Sequence, residues 1–208
     1  MKGPVRVLIV EDHFLARIAL HTVLDAQPGF VIVAETSSGQ DAIRLYREHN
    51  PDLVIMDLKL LGISGFDAIE AIRREQPSAR ILVLSNFQGS EDVYRAMRCG
   101  AHGYLSKDVD GRQLIDAIRV VAGGGRFIPK SLESRLAERC PAASITPREQ
   151  EVLSLLAKGL GTTDIAEQLA VAEKTVRIHI GNLLEKLGAR DRTHALVIAL
   201  HRGIIHLD

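Results

Sequence analysis

Four short apolar runs recur in the first half of the chain, and each stops on a group that can carry charge or a proton. They are Val5-Arg6-Val7-Leu8-Ile9-Val10 before Glu11-Asp12, Leu53-Val54-Ile55-Met56 before Asp57, Ile81-Leu82-Val83-Leu84 before Ser85, and Gly103-Tyr104-Leu105-Ser106 before Lys107. Runs of Val, Ile and Leu this short read as strands buried on both faces. The stretches between them carry helical periodicity, and Phe30 to Glu35 supplies a further strand. The strands must then lie in one parallel sheet, because only helices on both faces cover such runs. The fold class expected is α/β, a doubly wound five-stranded parallel sheet. In such a sheet the carboxyl ends of the strands line one crevice, where groups distant in sequence converge.

Helices are expected near Phe14 to Ala26, Gly39 to Glu48, Gly65 to Glu75, Ser90 to Cys99 and Gly111 to Val121, separated by Gly, Pro, Asn or Ser. Gly123-Gly124-Gly125 then breaks the pattern, since consecutive glycines are poor in any helix. Lys130 to Arg139 can form a short charged helix or a simple tether, and Pro141-Ala142-Ala143-Ser144 is a second break. Beyond it the pattern is purely helical. Thr146-Pro147-Arg148-Glu149 is a capping box with proline in the first helical position. Helices from Pro147 to Lys158, Thr162 to Leu169, Glu173 to Leu187 and Arg192 to Arg202 make a small all-α domain. The expected division is an α/β domain over 1–122, a linker over 123–143 and a helical domain over 144–208.

The chain's 208 residues leave room for two cores. No apolar stretch approaches the roughly 20 residues needed to span a bilayer, and the start lacks a signal-peptide core. A soluble, cytoplasmic protein with no membrane partner is expected. Cys99 and Cys140 have neither metal-ligand spacing nor the number for a disulfide framework. Residues 141–208 hold 8 Lys/Arg against 8 Asp/Glu, so any DNA contact needs its positive charge gathered on one face.

Glu11, Asp12 and Asp57 would meet within a few Å at the crevice. Like charges 4 Å apart repel by about 4 kcal/mol at an effective dielectric near 20, so a divalent cation is expected among them. All-oxygen ligation selects a hard ion, and Mg²⁺ keeps waters that leave room for a phosphoryl group. Lys107 across the crevice completes the charge balance. Each residue alone has an ordinary role: Asp12 as a helix cap, Glu11 as a solvated acid, Ser85 as a turn residue, Lys107 as a surface lysine. Their conjunction at successive strand ends is the specific signal. No cofactor fingerprint or pocket-forming nucleophile points to a metabolic enzyme.

Residues 5 to about 122 resemble the receiver domain of bacterial two-component response regulators. The resemblance implies Asp57 as phosphoacceptor, Asp12 and Asp57 as direct Mg²⁺ ligands, Glu11 acting largely through water, and the backbone carbonyl of Lys59 completing the set. It also implies that Ser85 and Lys107 bind phosphoryl oxygens and that Tyr104 is the aromatic switch; on its own Tyr104 reads equally as a half-buried strand aromatic. Leu61 stands where the family usually has proline, so a looser loop after Asp57 is expected. Asp108 replaces another common proline.

Residues 144–208 resemble the LuxR-type helix-turn-helix, through Thr-Pro-Arg-Glu, Val-Leu, Ile-Ala, Lys-Thr-Val and Lys-Leu-Gly. Together the halves resemble a response regulator of the NarL/FixJ family. By family correspondence Lys174, Thr175, Arg177, Ile178 and Gly181 face DNA. Helical spacing buries Val176, Ile180, Leu183, Leu184 and Leu187 and leaves Arg177, Ile178, Gly181 and Asn182 on or near the other side. Arg177 is the best reader, because its fork can bond guanine or phosphate bidentately. His179 suits capping, packing or a phosphate contact. Ala172 replaces a usual N-cap serine, Ala170 a turn glycine, Gly161 another cap serine, and Gly181 a frequent polar reader, so modest intrinsic DNA affinity is expected. The resemblance implies a dimer surface on the last helix at Leu196, Val197, Leu200 and Ile204, a stripe that reads equally as core packing within the domain, with some of its residues serving both.

The resemblance implies a transcription regulator switched on by a sensor histidine kinase, which phosphorylates Asp57, frees the helical domain and allows a homodimer to bind double-stranded promoter DNA. It catalyses only its own phosphorylation and dephosphorylation. The alternative is a phosphate sink or signalling adaptor whose helical domain binds protein.

Overall fold

The computed structural model describes residues 3–87, 89–137 and 145–206. Arg139, Cys140 and the break at 141–144 lie outside them. The chain divides into two compact units, residues 1–88 with 93–134 and residues 89–92 with 135–208.

The first unit holds β1 (Val5–Val10), α1 (Phe14–Asp25), β2 (Phe30–Thr36), α2 (Gly39–His49), β3 (Leu53–Met56), α3 (Gly65–Glu75), β4 (Ile81–Ser85), α4 (Ser90–Cys99), β5 (Gly103–Ser106) and α5 (Gly111–Ala122). All strand pairings are parallel, in the order β2-β1-β3-β4-β5. The order reverses between β1 and β3, which is where a doubly wound sheet opens its crevice. Glu11-Asp12 and Asp57 follow those two strands.

Both sheet faces are sealed, as the unbroken apolar runs require. Val7, Ile9, Leu53, Ile55, Leu82 and Leu105 pack with Leu20 and Leu24 of α1 and Leu114, Ile115 and Ile118 of α5. Leu8, Val10, Val54 and Met56 alternate with them and are equally buried. Each such side chain contributes about 1.5–3 kcal/mol by leaving water, and that rigidity fixes the strand ends. Ser38, Ser64 and Asp110 start α2, α3 and α5 by accepting backbone N–H bonds from Asp41, Asp67 and Gln113.

After α6 (Lys130–Ala137), the helical unit contains α7 (Pro147–Ala157), α8 (Thr162–Gln168), α9 (Glu173–Leu187) and α10 (Arg192–Arg202). Thr146 and Glu149 close the capping box in both directions. Val152, Leu153, Ile165, Val176, Ile180, Leu183, Leu187, Ala195 and Ala199 form the core. One expectation needs adjustment. Leu184 is only half-buried, because it sits one step round the helix from Leu183. The final stripe splits: Val197 and Leu200 face solvent while Leu196 and Ile204 pack on the core, and Ile204 lies beyond the helix end.

Candidate functional site

Sheet pairing continues past the strand ends and sets the backbone of the acids. Glu11 N–H donates to the Thr36 carbonyl at 2.9 Å and Asp57 N–H to the Val10 carbonyl at 2.8 Å. Glu11 and Asp57 are 1% and 4% exposed. The N-cap of α1 is His13, with no side-chain bond, so Asp12 is not the helix cap its position allowed. One carboxylate oxygen each from Glu11, Asp12 and Asp57 lies within 4.8 Å of the others.

Lys107 reaches in from the end of β5. Its Nζ donates to Glu11 Oε1 and to Asp57 Oδ2, both at 2.7 Å. One ammonium among three carboxylates leaves negative charge in excess. Burial accordingly raises the Glu11 carboxyl above its ordinary value, and the Asp57 charge adds to this against the bonds from Lys107 and the His13 amide. Burial pulls Lys107 down, but the hydrogen bonds and charges of Asp57 and Glu11 outweigh it, so the ammonium is held above its usual value. An all-oxygen, acid-rich cluster of this kind fits a hard divalent cation.

Asp57 is fixed from the other side as well. Its Oδ1 accepts from the amides of Leu58 at 2.6 Å and Lys59 at 3.3 Å. The loop then passes Leu61, which bridges to Ser38, and returns at Gly65, whose amide bonds the Leu58 carbonyl. A Cβ at Gly65 would collide with the Asp57 carbonyl, so only glycine admits this close return. In place of the usual proline, Leu61 presents an exposed side chain.

Ser85 ends β4, and the β3–β4 register, Met56 opposite Val83, sets it within one residue of the level of Asp57. Its hydroxyl accepts from Phe87 N–H at 3.2 Å. Tyr104 is completely buried rather than half-buried, and its hydroxyl donates to the Phe87 carbonyl at 2.6 Å. Ser85 and Tyr104 therefore grip the same residue. Sequence reasoning missed the Leu58 and Lys59 amides and also Arg17, whose guanidinium bonds the Glu11 and Asp12 carbonyls. Backbone partners leave no residue-type signal.

On α9, Lys174, Arg177, Ile178, Gly181 and Asn182 are exposed, whereas Thr175 and His179 are half-buried. Arg177 donates to Glu173 Oε2 at 2.6 Å, and Glu173 Oε1 accepts from the Thr163 hydroxyl on α8 at 2.9 Å. Ala172 caps α9 with no side-chain bond. Ala170 adopts φ +52°, the left-handed turn conformation that favours glycine. At the start of α8, Asp164 Oδ2 accepts from the Gly161 amide at 3.0 Å, the half of the capping pair that needs no side chain at Gly161.

Many functions use a sheet of this order; what narrows this one is the charge at its edge. That edge, in a chain that also carries a helix-turn-helix, is the arrangement of a two-component response regulator. The chain matches the response regulator receiver domain over residues 7–119 and the luxR family of bacterial regulatory proteins over residues 143–199. It is 38% identical over 206 residues to the nitrate/nitrite response regulator protein NarP of Escherichia coli K12, covering 96% of each chain. Among solved structures it is similar to the response regulator ChrA of a heme-sensing two-component system, at 29% identity and a TM-score of 0.58 over 98% of this chain and 100% of that one. It is also similar to RcsB from Salmonella enterica serovar Typhimurium bound to promoter DNA with a phosphomimetic, at 25% identity and a TM-score of 0.71 over 96% and 99%. The chain belongs to the NarL/FixJ family of response regulators. It is a DNA-binding transcription regulator. No helix among the described residues is long and apolar enough to cross a membrane.

Proposed function

We propose that Asp57 accepts a phosphoryl group from a sensor histidine kinase and that this modification turns on promoter binding. Direct ligation of Mg²⁺ falls to Asp12, Asp57 and the Lys59 carbonyl, with Glu11 acting through water. When bound, the ion withdraws negative charge from the phosphoryl oxygens and so eases attack by the carboxylate. The observation that carries this reading is Lys107 Nζ at 2.7 Å from both Glu11 and Asp57, which are 96 and 50 residues away in sequence. An ammonium held there is placed to take a phosphoryl oxygen once Asp57 carries the acyl phosphate.

The Ser85 hydroxyl accepts from Phe87 and still has its own proton to donate. Donation to a phosphoryl oxygen would draw Ser85 toward the crevice. Because Tyr104 holds the other side of Phe87, that movement reaches the segment after β4. A two-state equilibrium moves from 1:99 to 99:1 with about 5.5 kcal/mol of differential stabilisation. A few charge-assisted hydrogen bonds at roughly 1.5–3 kcal/mol each supply that amount. The receiver's only catalysis is then its own phosphorylation and dephosphorylation.

Exposed Phe14, Leu15 and Ile18 begin α1 just beyond the acidic pair and give the rim an apolar surface suited to the phosphodonor protein. In the helical domain, Lys174, Thr175, Arg177, Ile178, His179 and Asn182 form the major-groove face, and exposed Val197 and Leu200 supply part of a homodimer contact in the cytoplasm. We assign residues 1–122 to the receiver, 123–143 to the linker and 144–208 to the DNA-binding domain. The test is Mg²⁺-dependent labelling from a phosphodonor. Wild type should label and Asp57→Ala should not; labelling that survives Asp57→Ala refutes the assignment.

A further inference from the structure

The loop that carries Glu11 and Asp12 is held by a side chain with no role in the account so far. Arg17 Nη1 donates to the Glu11 carbonyl at 2.8 Å and to the Asp12 carbonyl at 3.1 Å. The remaining ties of this loop are also specific. Glu11 N–H bonds Thr36 O, His13 N–H bonds Glu11 Oε1 at 3.0 Å, and Arg17 N–H closes the first helical turn on His13 O. The N-terminus of α1 has no side-chain cap to define where the loop ends and the helix begins. The guanidinium of Arg17, one turn into the helix and half-buried, performs that task from inside the helix.

We infer that Arg17 is the positioning residue of the cation site: by fixing two successive carbonyls it sets the direction in which the Glu11 and Asp12 carboxylates leave the backbone. A peptide plane anchored at its oxygen can no longer rotate, so the Cα–Cβ bonds on either side point one way. Without that anchor, the mutual repulsion of the three carboxylates when the cation leaves is opposed from across the crevice by Lys107, which bonds Glu11 and Asp57. An arginine suits the task, because its rigid fork offers several donors in one plane and keeps its charge at every physiological pH. Groups that orient metal ligands from behind usually change metal affinity by about 10–100-fold when removed.

This inference rests on the crevice being a Mg²⁺ site, and the test separates the two. Full-length protein, Arg17→Met and Arg17→Lys are titrated with Mg²⁺ while backbone amide resonances are followed by NMR. Amide exchange of residues 11–14 is measured without metal. Arg17→Met keeps the apolar stem and should bind Mg²⁺ about tenfold more weakly or worse, with faster exchange at the His13 amide. Its labelling rate from acetyl phosphate at saturating Mg²⁺ should stay within about twofold of wild type, because only the holding of the ion is impaired. Arg17→Lys keeps a donor and the charge and should recover part of the affinity; should Arg17→Met not fold, an affinity for Arg17→Lys below that of wild type carries the same result. Wild-type affinity in both variants overturns the inference, as does a labelling defect that saturating Mg²⁺ leaves in place. Absence of Mg²⁺ binding by the wild-type protein overturns the cation site and Arg17's role with it.

Discussion

At the carboxyl edge of the sheet, the Lys107 side chain is 14% exposed and bonds two carboxylates that are almost fully buried. On α9, the Arg177 side chain is 66% exposed and pairs with a Glu173 that is 40% exposed. The chemistry is a cation on a carboxylate in both places, yet the consequences differ. A buried trio cannot be left half-made, because an unpaired charge out of water is costly. An exposed pair contributes between nothing and about 1 kcal/mol and can be exchanged for a phosphate or a base at little cost. In the function proposed above, the first region holds charge in a fixed place until a phosphoryl group rearranges it, and the second gives up its own partner to DNA.

The largest expected effect comes from breaking the buried side. Lys107→Met should cost the receiver about 3 kcal/mol, since it leaves Glu11 and Asp57 facing each other without a counter-charge. Urea unfolding with and without Mg²⁺ checks this: the metal should restore much of the loss. A loss below about 0.5 kcal/mol would place this ion pair in the same class as the exposed one.

The helical unit has a buried pair of its own, which sharpens the contrast within one domain. Glu149 is almost fully buried and accepts from Lys186 Nζ at 2.7 Å and Thr146 N–H at 2.8 Å. Burial pushes its carboxyl up, but the bonds from Lys186 and Thr146 outweigh this and hold it below the usual carboxylate value. Its contribution is therefore complete above the unfolded value near 4.5 and disappears as pH falls through the lower folded pKa. Thermal unfolding of the helical transition should thus show a stability loss below about pH 4.5, and Glu149→Ala should remove about 2 kcal/mol at neutral pH and flatten that acid dependence.

Arg177→Ala should leave stability within about 0.5 kcal/mol, as an exposed i,i+4 pair allows. Its DNA affinity should fall by about 1–3 kcal/mol with relaxed preference at one base position. Anisotropy titrations on specific and scrambled DNA distinguish this from uniform weakening, which would make Arg177 a phosphate contact. The smallest effect concerns the turn before α9. Ala172→Ser should add about 1 kcal/mol by supplying the missing cap, and Ala170→Gly somewhat less by relieving its left-handed backbone.

How much of this could be read beforehand also divides between the regions. Residues 7–10, the strand Leu53–Met56 and their terminal acids were legible because a strand segment buried on both faces has no polar position to spare, so the first polar residue after it marks its end. The inner face of α9 was legible because its periodicity is local. What stayed hidden depends on distant backbone. Arg17 bonds two carbonyls, Gly65 is required by the carbonyl of Asp57, and Tyr104 is sealed completely by elements that a strand pattern cannot place over it. On α10 the sequence left the stripe open to both core packing and dimer contact, and the structure divides it: Leu196 packs inward, while Val197, about 100° further round the helix, is exposed.

The central claim is that the state of the buried crevice governs the exposed reading surface. It is tested most directly by the affinity of the full-length protein for a DNA site selected from a random pool, measured before and after phosphorylation in wild type and Asp57→Ala. The account predicts tightening by about tenfold or more in wild type and none in Asp57→Ala. Equal affinity of phosphorylated and unphosphorylated wild type would contradict it.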